Sequence, residues 1–183
     1  MDRDGTLNLD TGYTYNHHDY KLLPGVKEGL KRLVEAGYEL FVLTNQSGIG
    51  RGIYADKDCR KFNDWLSNDL GEAGVVFQGF YYCPHHPTQG MGKLKKDCDC
   101  RKPKPGLIFQ AESAHGPFDF GNSWAIGDKP RDLEMAKKAS DKIRTILVPK
   151  NFGVAAEESI AQAEFADYQA SDFLEAVNII MRV

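Results

Sequence analysis

No stretch of the 183 residues stays apolar for anything near the ~20 positions a membrane-spanning helix needs, and the opening Met1-Asp2-Arg3-Asp4 is too polar for a secretory signal. No membrane role is expected, and the cytoplasm is the expected compartment. Charge of one sign is lacking too. The 23 basic and 26 acidic residues leave a net −3 spread along the chain, without the basic stripe that would neutralise nucleic-acid phosphates. Nucleic acid is therefore not an expected partner. Cysteine is scarce, and of the four present Cys83, Cys98 and Cys100 crowd into residues 83–100 while Cys59 stands apart. A chain with 42% hydrophobic residues has core enough without disulfide staples, so the crowding points to a metal. Internal repeats, low-complexity tracts and linkers are also missing, which leaves one domain spanning 1–183.

What is present is an alternation of two apolar periods. Val26, Leu30, Leu33 and Val34 recur at helical spacing up to a stop at Gly37, and Tyr38 to Leu43 reads as a strand. A second helix is expected from Asp56 as N-cap through Phe62, Trp65, Leu66 and Leu70 to Gly74, followed by a strand-like run from Val75 to Tyr82. Residues 83–104 form an irregular loop. Pro105 suits the first turn of a helix, Ser123 to Ile126 a short strand, Pro130 a helix start, Ile143 to Val148 a strand, and Ser171 the cap of a last helix. This pattern implies an α/β fold, a three-layer doubly wound parallel sheet of Rossmann type, with ligands bound beyond the carboxyl ends of the strands.

Polar clusters fall at those ends. Asp2-Arg3-Asp4-Gly5-Thr6 sets two carboxylates two residues apart, on one side of an extended segment, so that one can attack phosphorus while the other handles the proton. A solvated turn or a calcium loop is the plainer reading, but Tyr13 and Tyr15 stand where a calcium loop needs its glutamate. Thr44 offers a hydroxyl at a strand end, suited to phosphoryl oxygens. Gly48, Gly50 and Gly52 lack dinucleotide-binding spacing and are read as giving loop flexibility. Asp128 suits Mg²⁺, and Asp132 is read only as a first-turn acid favoured by the helix dipole. Lys102 and its neighbours bring cations to a helix start. Cys83, His85, Cys98 and Cys100 supply three thiolates and an imidazole, a set matching a closed structural Zn²⁺ site that pins a loop with little apolar content.

These pieces, in this order, resemble a haloacid dehalogenase superfamily phosphatase over nearly the whole chain. The resemblance implies Asp2 as nucleophile, Asp4 as general acid and then base, and Thr44 and Lys102 as phosphoryl stabilisers. Mg²⁺ would be held by Asp2, the backbone carbonyl of Asp4, and Asp128. The zinc loop narrows it to the branch of D,D-heptose 1,7-bisphosphate and histidinol-phosphate phosphatases. Gly12-Tyr13, Thr44 to Ile49, Tyr82 to Pro87 and Cys98 to Pro103 look like the heptose family. By the same resemblance Asp10, Thr11, Gly12, Tyr13, Asn45, Gln46, Ser47, Arg101 and Lys129 would line the site of a small sugar bisphosphate. With no large cap domain, that site would be open, and a monomer suits an enzyme of this size.

In one respect the chain departs from that family, whose members carry a short apolar strand immediately before the nucleophile. Only Met1 precedes Asp2 here, so an apolar groove flanked by unbonded backbone is expected at the middle of the sheet. A reading of another class follows from it: a zinc-stapled sugar-phosphate-binding protein with impaired catalysis.

Overall fold

The computed structural model describes residues 1–148 and 164–183. In chain order the principal elements are α1 (Val26–Glu35), β1 (Leu40–Asn45), α2 (Ser47–Gly50), α3 (Asp56–Gly71), β2 (Phe77–Cys83), α4 (Gly106–His115), β3 (Trp124–Gly127), α5 (Pro130–Ala139), β4 (Arg144–Leu147), β5 (Tyr168–Gln169) and α6 (Phe173–Ile180). The three expected layers are present. Strands alternate their side chains between faces. On one face Leu40 and Val42 of β1 pack with Leu30 and Leu33 of α1, Leu66 and Leu70 of α3, and Phe173 and Val177 of α6. On the other, Leu43 packs with Leu107, Ile108 and Ala111 of α4 and Met135 and Ala136 of α5. Two helix starts differ from expectation by one residue. The N-cap of α3 is Ala55, whose N–H the Asp58 carboxylate accepts at 2.8 Å, and that of α6 is Asp172, which accepts from Glu175 N at 2.8 Å.

The sheet comes in two halves. β1 pairs with β2, and β3, β4 and β5 form a second ladder, with every pairing parallel. Among the described residues Met1 and Asp2 bridge them: the Met1 amine donates to Phe41 O at 2.9 Å, Met1 O accepts from Leu43 N at 2.8 Å, and Asp2 N donates to Ile126 O at 3.0 Å. These two residues thus take the last rungs of a central strand. Beyond them the halves are parted by a groove of about 590 Å³, lined by Leu40, Phe41, Ile108, Phe118, Trp124, Ile126 and Met135 among others. The expected groove is there, and it is larger than the cleft of about 200 Å³ where the polar clusters meet. Burial, with the nearby Lys102 charge, pushes the Met1 amine down to about 5.

Candidate active site

The bridge at Met1-Asp2 sets Asp2 at the carboxyl end of the sheet, between the ends of β1 and β3. Asp2 Oδ1 accepts from Arg3 N at 2.8 Å and from Lys102 Nζ at 2.8 Å. Burial pushes the Asp2 carboxyl upward, but the Lys102 charge and hydrogen bond outweigh it and hold the group below its ordinary range. Lys102 is itself buried. Its three N–H bonds go to Asp2, to Asp132 Oδ1 at 2.6 Å and to Leu43 O at 2.8 Å, so it offers a phosphoryl group its charge and no further hydrogen bond.

Asp132 was legible in the sequence only as a helix-start acid, and its Oδ2 does accept from Lys129 N at 3.1 Å. The other oxygen belongs to the Lys102 ion pair, and Gly127 makes room for it, since a Cβ there would lie 2.4 Å from Asp132 Cβ. Asp2, Asp128 and Asp132 are all buried and can bring one oxygen each within 4.8 Å of one another. Burial and the neighbouring Asp2 charge push the Asp132 carboxyl up. Three buried carboxylates thus meet beside Lys102 and Lys129, a donor set that suits an oxygen-seeking divalent cation.

Asp4 is held by four donors. Arg3 reaches it with Nε at 3.0 Å and an Nη at 2.9 Å, Asn8 Nδ2 at 2.9 Å and Gln46 Nε2 at 2.7 Å. Arg3 lies wholly buried over the Phe62 ring, bonded also to Asn63 and Thr14 O. A cleft of about 200 Å³ opens above, lined by Asp2, Asp4, Asp10, Gly12, Tyr13, Thr44 to Gly48, Arg101, Lys129 and Arg131. Most of the substrate-site residues expected from sequence therefore meet in one place. Thr11 bonds Thr14 beside it, and Lys129 Nζ reaches Asp10 at 3.3 Å. The Asn45 amide is committed to the Lys102 backbone, donating to its O and accepting from its N. Arg131, a third cation on the cleft, and Arg3 carried no signal in the sequence beyond their charge.

The four metal-type residues of the 83–104 loop also converge. Cys83 Sγ lies 3.5 Å from Cys98 Sγ, Cys100 Sγ 3.4 Å from Cys98 Sγ, and His85 Nδ1 3.6 and 3.4 Å from Cys83 and Cys100. No disulfide joins them. Burial pushes the Cys83 and Cys100 thiols up, so without a cation at their centre they resist ionising together. Arg101 follows directly and donates to His85 O at 3.0 Å, which ties the cluster to the rim of the cleft.

Two carboxylates two residues apart, a buried lysine and the Asp2, Asp128 and Asp132 cluster at the carboxyl ends of a parallel sheet suit phosphoryl transfer. Residues 99–176 match the HAD-hydrolase-like family model. The chain is 42% identical over 148 residues to the D-glycero-beta-D-manno-heptose-1,7-bisphosphate 7-phosphatase of Vibrio cholerae, covering 81% of this chain and 78% of that one. It is 39% identical to the Haemophilus influenzae protein of the same name, over 100% of this chain and 96% of the relative. The crystal structure of D,D-heptose 1.7-bisphosphate phosphatase from B. bronchiseptica, complexed with magnesium and phosphate, superposes with a TM-score of 0.82 at 26% identity, over 99% of this chain and 96% of that one. The chain belongs to the heptose-1,7-bisphosphate 7-phosphatase family of haloacid dehalogenase-like hydrolases. It is a phosphoric monoester hydrolase. No helix among the described residues is long and apolar enough to cross a membrane.

Proposed function

We propose that this chain hydrolyses the 7-phosphate of a D-glycero-D-manno-heptose 1,7-bisphosphate, as a cytoplasmic monomer. The observation that carries the reading is the convergence of Asp2, Asp4 and Thr44 on one cleft, with Lys102 bonded to Asp2 from behind and a buried cluster of carboxylates beside them. Asp2 attacks through Oδ2, because Oδ1 is engaged by Arg3 N and Lys102. Asp4 donates a proton to the departing sugar oxygen and then takes one from the water that cleaves the aspartyl-phosphate. Thr44 and the Lys102 charge hold the phosphoryl oxygens. Arg101, Lys129 and Arg131 line the same cleft as cations for the second phosphate, with Tyr13 at its rim.

Asp2, Asp128 and the backbone carbonyl of Asp4 are the residues that would hold Mg²⁺, with Asp132 behind them. Bound there, the ion would neutralise charge between anionic nucleophile and anionic phosphate. Cys83, His85, Cys98 and Cys100 fit structural Zn²⁺ by number, donor type and spacing.

The test is phosphate release by the purified chain with Mg²⁺ from the heptose bisphosphate, with histidinol phosphate compared by kcat/KM. A preference for histidinol phosphate would overturn the substrate assignment. Binding of the bisphosphate without release would instead support a sugar-phosphate-binding protein with impaired turnover. For the metal loop we expect Cys98→Ser to lose most bound zinc and to lower Tm by about 10 °C, since such sites supply much of the folding energy of the loops they close. Elemental analysis and a thermal melt check this, and unchanged zinc content would remove Cys98 from the ligand set.

A further inference from the structure

Gln46 sits in the cleft wall, yet its side chain is spoken for. Its Oε1 accepts from the Tyr54 hydroxyl at 2.5 Å, and its Nε2 donates to Asp4 Oδ2 at 2.7 Å and Thr44 Oγ1 at 3.0 Å. Gln46 is 2% exposed and Tyr54 7%. The reverse amide orientation would set its oxygen against the Asp4 carboxylate, so the direction of all three bonds is determined together. Tyr54 is fixed as firmly. Its ring stacks on Tyr15 at 4.7 Å and 14°, and lies so close over Gly48 that a Cβ there would overlap it. Gly48 therefore serves close approach within α2, and the flexibility expected from sequence is not what it provides.

We propose that Tyr54 and Gln46 form a relay that sets the hydrogen-bond polarity of the catalytic centre, with Tyr54 a positioning residue that acts through Gln46 on Thr44 and Asp4. A Thr44 hydroxyl that accepts from Gln46 keeps its own hydrogen free to donate into the cleft, where a phosphoryl oxygen needs a donor. An amide free to rotate would present its oxygen to Thr44 for part of the time. The hydroxyl would then donate to Gln46 and turn only lone pairs toward the phosphate. The relay thus converts one buried phenol into the donor state of a residue that touches the reacting group. It also removes the Gln46 side chain from direct substrate contact and leaves it a supporting role. The proposal rests on the phosphatase reading given above.

Tyr54→Phe removes the hydroxyl while keeping the ring on Gly48 and Tyr15. Its expected effect is a kcat lower by about tenfold, the scale of one lost oriented hydrogen bond, with KM within about twofold and Tm and zinc content unchanged. In a Gln46→Met background, where the relay is already broken, Tyr54→Phe should cost nothing more. Orthovanadate, which mimics the transferring phosphoryl group, should bind Tyr54→Phe about tenfold more weakly by calorimetry in the presence of Mg²⁺. Loss of kcat that adds in full to that of Gln46→Met, or a loss that tracks Tm, would overturn the relay. So would unaltered vanadate affinity. A wild-type chain that releases phosphate from no phosphomonoester would instead sink the phosphatase reading, and the vanadate comparison still decides the relay.

Discussion

Asp2→Asn should abolish phosphate release, lowering kcat by at least about 10³-fold, the scale seen when a covalent nucleophile is removed. The amide keeps the shape of the side chain but lacks the anionic oxygen that attacks. The fold should tolerate the change, because Lys102 keeps Asp132 as a one-to-one partner at 2.6 Å and Leu43 O at 2.8 Å. Zinc content should be unaffected, since the four loop residues lie apart from this ion pair. Phosphate assays and elemental analysis on the same preparation check both halves. Residual turnover near the wild-type rate would exclude Asp2 as nucleophile.

The second large effect concerns the groove. A variant extended by about five β-branched apolar residues ahead of Met1 should be more stable and more active. Gln46 N bonds Cys83 O and Val148 N bonds Gly127 O, so by strand alternation Phe41 and Ile126 turn their main-chain groups toward the groove. An added strand would bond both edges in the register that Met1 and Asp2 already set, and cover apolar lining. The gain should be on the order of several kcal/mol, raising Tm by about 10 °C. It would also close the rear of the site, since Asp2, Lys102 and Asp132 all line the groove.

The longer helices and strands were legible because each carries an apolar period, whereas the four-residue α2, read as loop, and the two-residue β5 are too short to show one. Sequence reading fails where a side chain does two jobs. Asp132 is a first-turn cap by one oxygen and half of an ion pair by the other, and Lys102 reaches it from another part of the chain. Asn45 and Gln46 sit in the expected cleft, but their amides are taken by the Lys102 backbone and by Tyr54, Asp4 and Thr44. Spacing shows that a residue reaches a site and is silent on which of its atoms are spent before a ligand arrives.

The 83–104 loop is half-buried at most outside Cys83 and Lys102, and it is tied to its surroundings by metal-type side chains and a few main-chain bonds such as Gly50 N to Pro84 O at 2.9 Å. A loop anchored this way asks little of the side chains between its anchors. Apart from Gly90, Met91 and Leu94, which pack against Ile49, Gly52 and neighbouring backbone, they can vary in size and charge without unfolding the domain, even as Arg101 carries them to the edge of the cleft. The loop is thus a region where new substrate preferences can accumulate by mutation while the sheet and its aspartates stay constant.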